Sequence, residues 1–190
     1  MKSLAVLAAG AAMALVAVGA GALAVIELGL FDATAATPHD PVVGWATHAA
    51  MIHSIRARAR DISAPKRFDA EEVRAGFRLY DANCAQCHGG PGVPRRTWVA
   101  GMTPTPPFLV AAARAWTPAQ LDLLVADGVK MTAMPGWRPV LSEGQIWDVV
   151  SFLEAMPYLS ARDYAAMRAA SSTPLVSRPY ALPRSRPVAP

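Results

Sequence analysis

Asn83-Cys84-Ala85-Gln86-Cys87-His88-Gly89 holds both cysteines of a 190-residue chain and one of its four histidines. Two thiols three positions apart do not make the disulfide framework of a small secreted domain. A thioredoxin-like redox pair expects βαβ surroundings, and no segment of this sequence alternates convincingly as a strand. A zinc site expects further Cys or His ligands at close spacing, whereas His39, His48 and His53 all lie well upstream. The spacing puts both sulfurs and the adjacent imidazole within about one helical turn.

The flanks of this stretch read as helices. Phe68-Asp69-Ala70-Glu71-Glu72 opens one: Asp69 caps it, Glu72 returns the hydrogen bond as the third residue of a capping box, and Phe68 is placed to staple. Val73, Phe77 and Tyr80 share its face with Gly76, where glycine lowers helix propensity by roughly 1 kcal/mol relative to Ala, so a close helix crossing is expected there. Thr117-Pro118-Ala119-Gln120 opens a second helix, with Leu121, Leu124 and Val125 on one face and Gly128 as the stop. Ser142 and Gln145 open a third, with Ile146, Val149, Val150 and Leu153 facing inward and Pro157 at its end. Residues 89–116 have prolines, glycines and no strong period.

Farther out, Leu4 to Ile26 are 23 consecutive residues drawn only from Ala, Val, Leu, Ile, Met and Gly. As a helix they span about 34 Å, enough for a hydrocarbon core of about 30 Å. A cleaved signal peptide competes, with Ala33-Thr34-Ala35 as its cleavage site, but its apolar region is usually about 7–15 residues, so length favours an anchor. Lys2 and the α-amino group place the amino end in the cytoplasm and the remainder outside the inner membrane. Trp45, His48, Ala49, Ile52 and Ile55 recur near helical spacing before Arg56, Arg58 and Arg60. That pattern suits either a short amphipathic helix at a membrane surface or a solvated helix end. The formal charge of +4 lies on the flanks, while residues 69–161 hold seven Lys/Arg against nine Asp/Glu. A nucleic-acid binder would concentrate basic charge on its folded domain, so no nucleic acid is expected as partner. The expected organisation is an N-terminal transmembrane anchor over 1–31, a juxtamembrane segment with a short amphipathic helix over 32–67, a compact domain over 68–160, and an Arg/Pro-rich, largely disordered C-terminal tail over 161–190.

Cys84, Cys87 and His88 match the attachment site of c-type haem: the sulfurs are spaced for the two vinyl groups of one porphyrin, and the imidazole reaches the iron from one side. At this point the sequence resembles the class I c-type cytochromes of the bacterial membrane-anchored monohaem type. The likeness runs from about 69 to 157, through Asn83 to Gly89, Pro106 to Leu109, Met134-Pro135-Gly136-Trp137 and the closing helix. It implies an all-α cytochrome c fold, with a capped N-terminal helix, haem loop, middle helix and C-terminal helix behind one N-terminal transmembrane helix. It implies one haem c bound covalently through Cys84 and Cys87, with His88 as proximal ligand and the Pro107 carbonyl accepting the imidazole N–H. It also implies that Gly76 and Tyr80 pack on the closing helix near Val149 to Leu153. Met134, in the family's Met-Pro position, is the expected sixth ligand, and Met131 and Met102 are the other thioethers in loops. Arg95, Arg96, Trp98 and Trp137 are candidates to bind the haem propionates or to be ordinary surface residues. Phe77, Phe108, Trp116 and Leu121 are expected in the core around the porphyrin.

Iron held by both His and Met has no open position, so the expectation is an electron-transfer protein rather than an enzyme, with no small-molecule substrate. Its partners would be redox proteins: a respiratory complex, an oxidase or a periplasmic dehydrogenase. It would act as a membrane-tethered relay on the periplasmic face of the inner membrane or as a fixed subunit of such a complex. The alternatives are a haem enzyme or sensor with an open or displaceable sixth ligand, and an assembly subunit whose haem only fills space.

Overall fold

The computed structural model describes residues 2–171. The chain divides into two units between Thr37 and Pro38. The first holds α1 (Lys2–Glu27), whose Ser3–Glu27 stretch is long and apolar enough to cross a membrane, a property that export signals share. Its described side chains are exposed, as expected of a helix that is apolar all round and has no protein partner within its unit.

The second unit is helical. Among its described residues the only β-type pairing is an isolated bridge between Gly90 and Val93. Its helices are α2 (Pro41–Arg58), α3 (Ala70–Asn83), α4 (Ala85–His88), α5 (Leu109–Ala112), α6 (Pro118–Asp127), α7 (Glu143–Ala155) and α8 (Ala161–Ala170). The capping boxes at Asp69/Glu72, Thr117/Gln120 and Ser142/Gln145 all form and start α3, α6 and α7 where their residues predict. Phe68 reaches across to α7, its ring 6.3 Å from that of Trp147.

The centre of the unit is the crossing of α3 and α7. A Cβ on Gly76 would lie 1.7 Å from the Asp148 carbonyl oxygen and 3.0 Å from Cβ of Phe152, so the two backbones meet where no side chain fits. Around the crossing, Phe77 sits edge-on to Phe152 at 5.4 Å and to Tyr164 at 5.2 Å, and Tyr80 lies 5.1 Å from Phe152. Ile146, Val149, Val150, Leu153 and Met156 complete this core.

Within the juxtamembrane segment α2 begins at Pro41, because the Asp40 carboxylate accepts from the backbone N–H groups of Val42 and Val43, and proline suits the first helical turn. Of its expected apolar face only Ile55 is buried, and Trp45 is 72% exposed. The first part of the segment expected as a tail, 161–170, is helical. Ser160 and Asp163 form a fourth capping box, and α8 lays a fully buried Tyr164 on the core. Its hydroxyl donates to Asp81 at 2.9 Å, and Arg168 pairs with the same carboxylate. The rest of the expected tail, 172–190, lies outside the described residues.

Candidate haem site

The C-terminal end of α3 passes directly into the turn that carries the cysteines. Cys84 N–H donates to the Tyr80 carbonyl at 2.8 Å, and the N–H groups of Cys87 and His88 both return to the Cys84 carbonyl, at 3.0 and 2.9 Å. Half-buried Cys84 and Cys87 therefore sit on one turn with buried His88, and the two thiols are not joined as a disulfide. Burial pushes the Cys84 thiol up to about 12, with a further push from the neighbouring Cys87 sulfur, and burial raises the Cys87 thiol as well. Both groups are protonated thiols at neutral pH.

Gly89 turns the chain away with φ of 68°, and a Cβ there would meet the Val93 carbonyl oxygen at 2.8 Å and the Phe108 ring at 2.9 Å. The Tyr80 hydroxyl donates to the Gly89 carbonyl at 2.7 Å, which ties the turn back to α3. A Cβ on Gly90 would strike the Tyr164 ring at 2.7 Å, and one on Gly92 would strike the Ala161 Cβ at 2.6 Å. Thus α8 lies on the outside of the turn that follows His88.

His88 Nδ1 is 2.9 Å from the Pro107 carbonyl oxygen. A carbonyl only accepts, so Nδ1 carries the ring proton and Nε2 keeps its lone pair. Burial lowers the His88 pKa and the nearby Arg95 charge lowers it further, while the Pro107 bond opposes both, and the net direction is downward. The ring is therefore neutral at neutral pH. No hydrogen bond to Nε2 is found among the described residues, and because no fully buried side-chain nitrogen or oxygen there lacks a partner, Nε2 is not completely sealed. Among the described residues no three His, Cys, Asp or Glu side chains gather into a metal cage. A neutral imidazole with a free Nε2 beside two thiols one turn apart fits a haem, which brings its own equatorial nitrogens and takes one axial ligand from this side.

Arg95 stands beside this bond. Its guanidinium lies 4.0 Å above the Phe108 ring and donates to the Pro106 carbonyl, the neighbour of the one that holds His88. Phe77 and Leu121 are buried as expected and Trp116 is half-buried, but Phe108 is 47% exposed and lies outside the buried core, with Arg95 over one face of its ring. Arg96 and Trp98 are exposed, and neither side chain is tied to the turn.

Met134 belongs to a loop folded back on the end of α6. Gly128, at φ of 68°, permits the return: a Cβ there would lie 2.5 Å from the Gly136 nitrogen and 2.6 Å from the Met134 carbonyl oxygen. Val129 N–H donates to the Met134 carbonyl at 3.2 Å, and Trp137 N–H to the Val125 carbonyl at 3.1 Å. Thr132 pins the interior, its hydroxyl donating to the Val129 carbonyl at 2.7 Å and accepting from Met134 N–H at 3.1 Å. Met134 is half-buried against Leu123 and Leu124, and Trp137 is half-buried against the core. Met131 in the same loop is 85% exposed at φ of 60°, and Met102 is half-buried beyond the turn at Thr97–Gly101. Sequence reasoning missed the Thr132 tie and the contact of Ile55 and Ala59 with the cluster around Met134. The four-residue spacing of Ile55 on α2 and Ala59 just beyond its end was the available signal.

Residues 71–153 match the family model described as cytochrome c oxidase, cbb3-type, subunit III. No curated protein matches the chain.

Proposed function

Residues 71–153 are a class I c-type cytochrome domain, a haem-based electron-transfer unit, and on that premise we propose that the protein is a membrane-tethered monohaem carrier of single electrons on the periplasmic face of the inner membrane. The observation that carries this reading is the His88–Pro107 hydrogen bond, which fixes the tautomer and the orientation an axial ligand needs. In this assignment Cys84 and Cys87 would hold haem c through thioethers, and His88 Nε2 and the Met134 thioether would be the donors to its iron. Arg95 and Trp137 offer N–H donors to the propionates. When bound, the haem supplies a one-electron ferric/ferrous couple. The chain supplies its axial donors, its orientation and its exclusion of water.

The family match favours a terminal-oxidase setting, in which the protein is a fixed subunit or the immediate donor. A tether formed by α1 holds the domain near such partners and raises its effective concentration. The test is purification from native membranes, with the co-purifying redox proteins identified and reduction and reoxidation followed optically with them. A haem that does not cycle with any of them overturns the carrier reading. With α1 uncleaved, the protein stays with membranes through high-salt and carbonate washing, because hydrophobic transfer is not screened by salt. Mature protein in the soluble periplasmic fraction, beginning near Ala36, would instead make α1 an export signal.

The axial assignment has its own check. Met134→Ala is expected to convert the ferric iron to a high-spin or misligated form and to lower the reduction potential, whereas Met131→Ala leaves the spectrum essentially unchanged. The opposite pattern moves the ligand to Met131. A five-coordinate, ligand-binding iron in the unaltered protein favours the sensor or enzyme alternative.

A further inference from the structure

Helix α6 has two apolar faces. Leu121, Val125 and Ala126 join the core beneath α7, whereas Leu123 and Leu124 belong to a second, smaller cluster, in which they are only 6% and 9% exposed. What buries them is the end of α2 and its following turn: Ile55 and Ala59, at 8% and 6% exposure, form one small cluster with them. Met51, Ile62, Val129 and Met134 pack around it. α2 lies wholly outside residues 71–153, and it packs on the cluster that includes Met134, the expected sixth ligand.

The Met134 backbone is fixed by Thr132 and Val129, but those bonds do not determine where its thioether points. A methionine side chain has three rotatable bonds and adapts to whatever surface it meets. Its direction is therefore set by packing, and the packing surface is the cluster that α2 completes. We propose that Ile55, with Ala59 one turn on, is a positioning residue: it holds the Met134 thioether toward the iron and so sets how firmly the sixth position is closed. The proposal rests on the reading of Met134 as axial ligand.

The test uses full-length holoprotein in detergent, with Ile55→Ala and the milder Ile55→Val set beside Trp45→Ala, Met134→Ala and the unaltered protein. Cyanide binding to ferric iron, the sulfur-to-iron charge-transfer band and the reduction potential are measured, and thermal melts verify folding. Cyanide competes with Met134, so its apparent affinity reports the fraction of molecules in which the thioether has swung away. Ile55→Ala is expected to tighten cyanide binding on the order of tenfold, with a weaker charge-transfer band and a lower potential. Ile55→Val should move all three in the same direction by less, and Trp45→Ala, 72% exposed on the same helix, should move none. If the folded Ile55 variants bind cyanide as the unaltered protein does while Met134→Ala binds far more tightly, α2 has no hold on the ligand and the proposal falls. If the unaltered protein already binds as tightly as Met134→Ala, the ligand assignment fails first and takes the proposal with it.

Discussion

Gly76→Ala is expected to yield almost no folded, haem-bearing protein. The added methyl would sit 1.7 Å from the Asp148 carbonyl oxygen and 2.4 Å from its carbon, and these are backbone atoms that no rotamer change can remove. α3 and α7 would have to part, opening the ring cluster of Phe77, Tyr80 and Phe152. Alanine recovers about 1 kcal/mol of helix propensity. Ordinary overpacking costs about 1–3 kcal/mol, and a clash with backbone costs more, against a total stability of about 5–15 kcal/mol. Gly144→Ala, on α7 with open space at its Cβ, is the matched control and should be neutral or slightly stabilising. The yield of folded, haem-bearing protein from the two variants, and the denaturant midpoint of whatever folds, check the argument. A Gly76→Ala midpoint equal to that of the unaltered protein would mean that the helices do not cross at this contact.

The second large effect is expected from Cys84→Ala combined with Cys87→Ala. Both sulfurs belong to the turn that presents His88, and without them a haem at this site would be held only by reversible axial bonds. Ligand binding stabilises a fold by mass action, so a permanently attached haem acts as an undiluted ligand and its loss removes that term completely. A unit of this size has little core to spare. The double variant should show no haem staining on a denaturing gel and should be degraded or aggregated. Each single variant should keep one thioether and part of the yield. A stable, cooperatively melting, haem-free domain from the double variant would count against the proposed cofactor role of this turn.

What could be read in the sequence was what neighbouring residues decide. Asp69/Glu72, Thr117/Gln120 and Ser142/Gln145 are each complete within four residues, so the helix starts they encode do not depend on the rest of the fold. Gly76 was legible because a glycine on an apolar helix face is costly unless something approaches closely. Tyr164 was not, since its partner Asp81 lies 83 positions away and α8 is otherwise mostly Ala and Arg with no apolar stripe. α2 misled for the opposite reason: its apolar residues have helical spacing, but only the end that meets α6 is buried, so the face named by periodicity is mostly not the face used. The Met134 loop was recognisable by its Met-Pro-Gly-Trp run, while the bond network through Thr132 depends on the return permitted by Gly128.

The position of α8 has a consequence in time. Tyr164 follows His88 by 76 positions, so a chain delivered amino end first presents the Cys84–His88 turn well before the helix that will lie over Gly90 and Gly92 has arrived. If delivery keeps pace with synthesis at about 5–20 residues per second, that interval is roughly 4–15 s. During it the glycine stretch after His88 is bare and can adjust, and Tyr164 then closes over it last. The segment that follows the Cys84–His88 turn is therefore accessible for seconds before α8 can cover it.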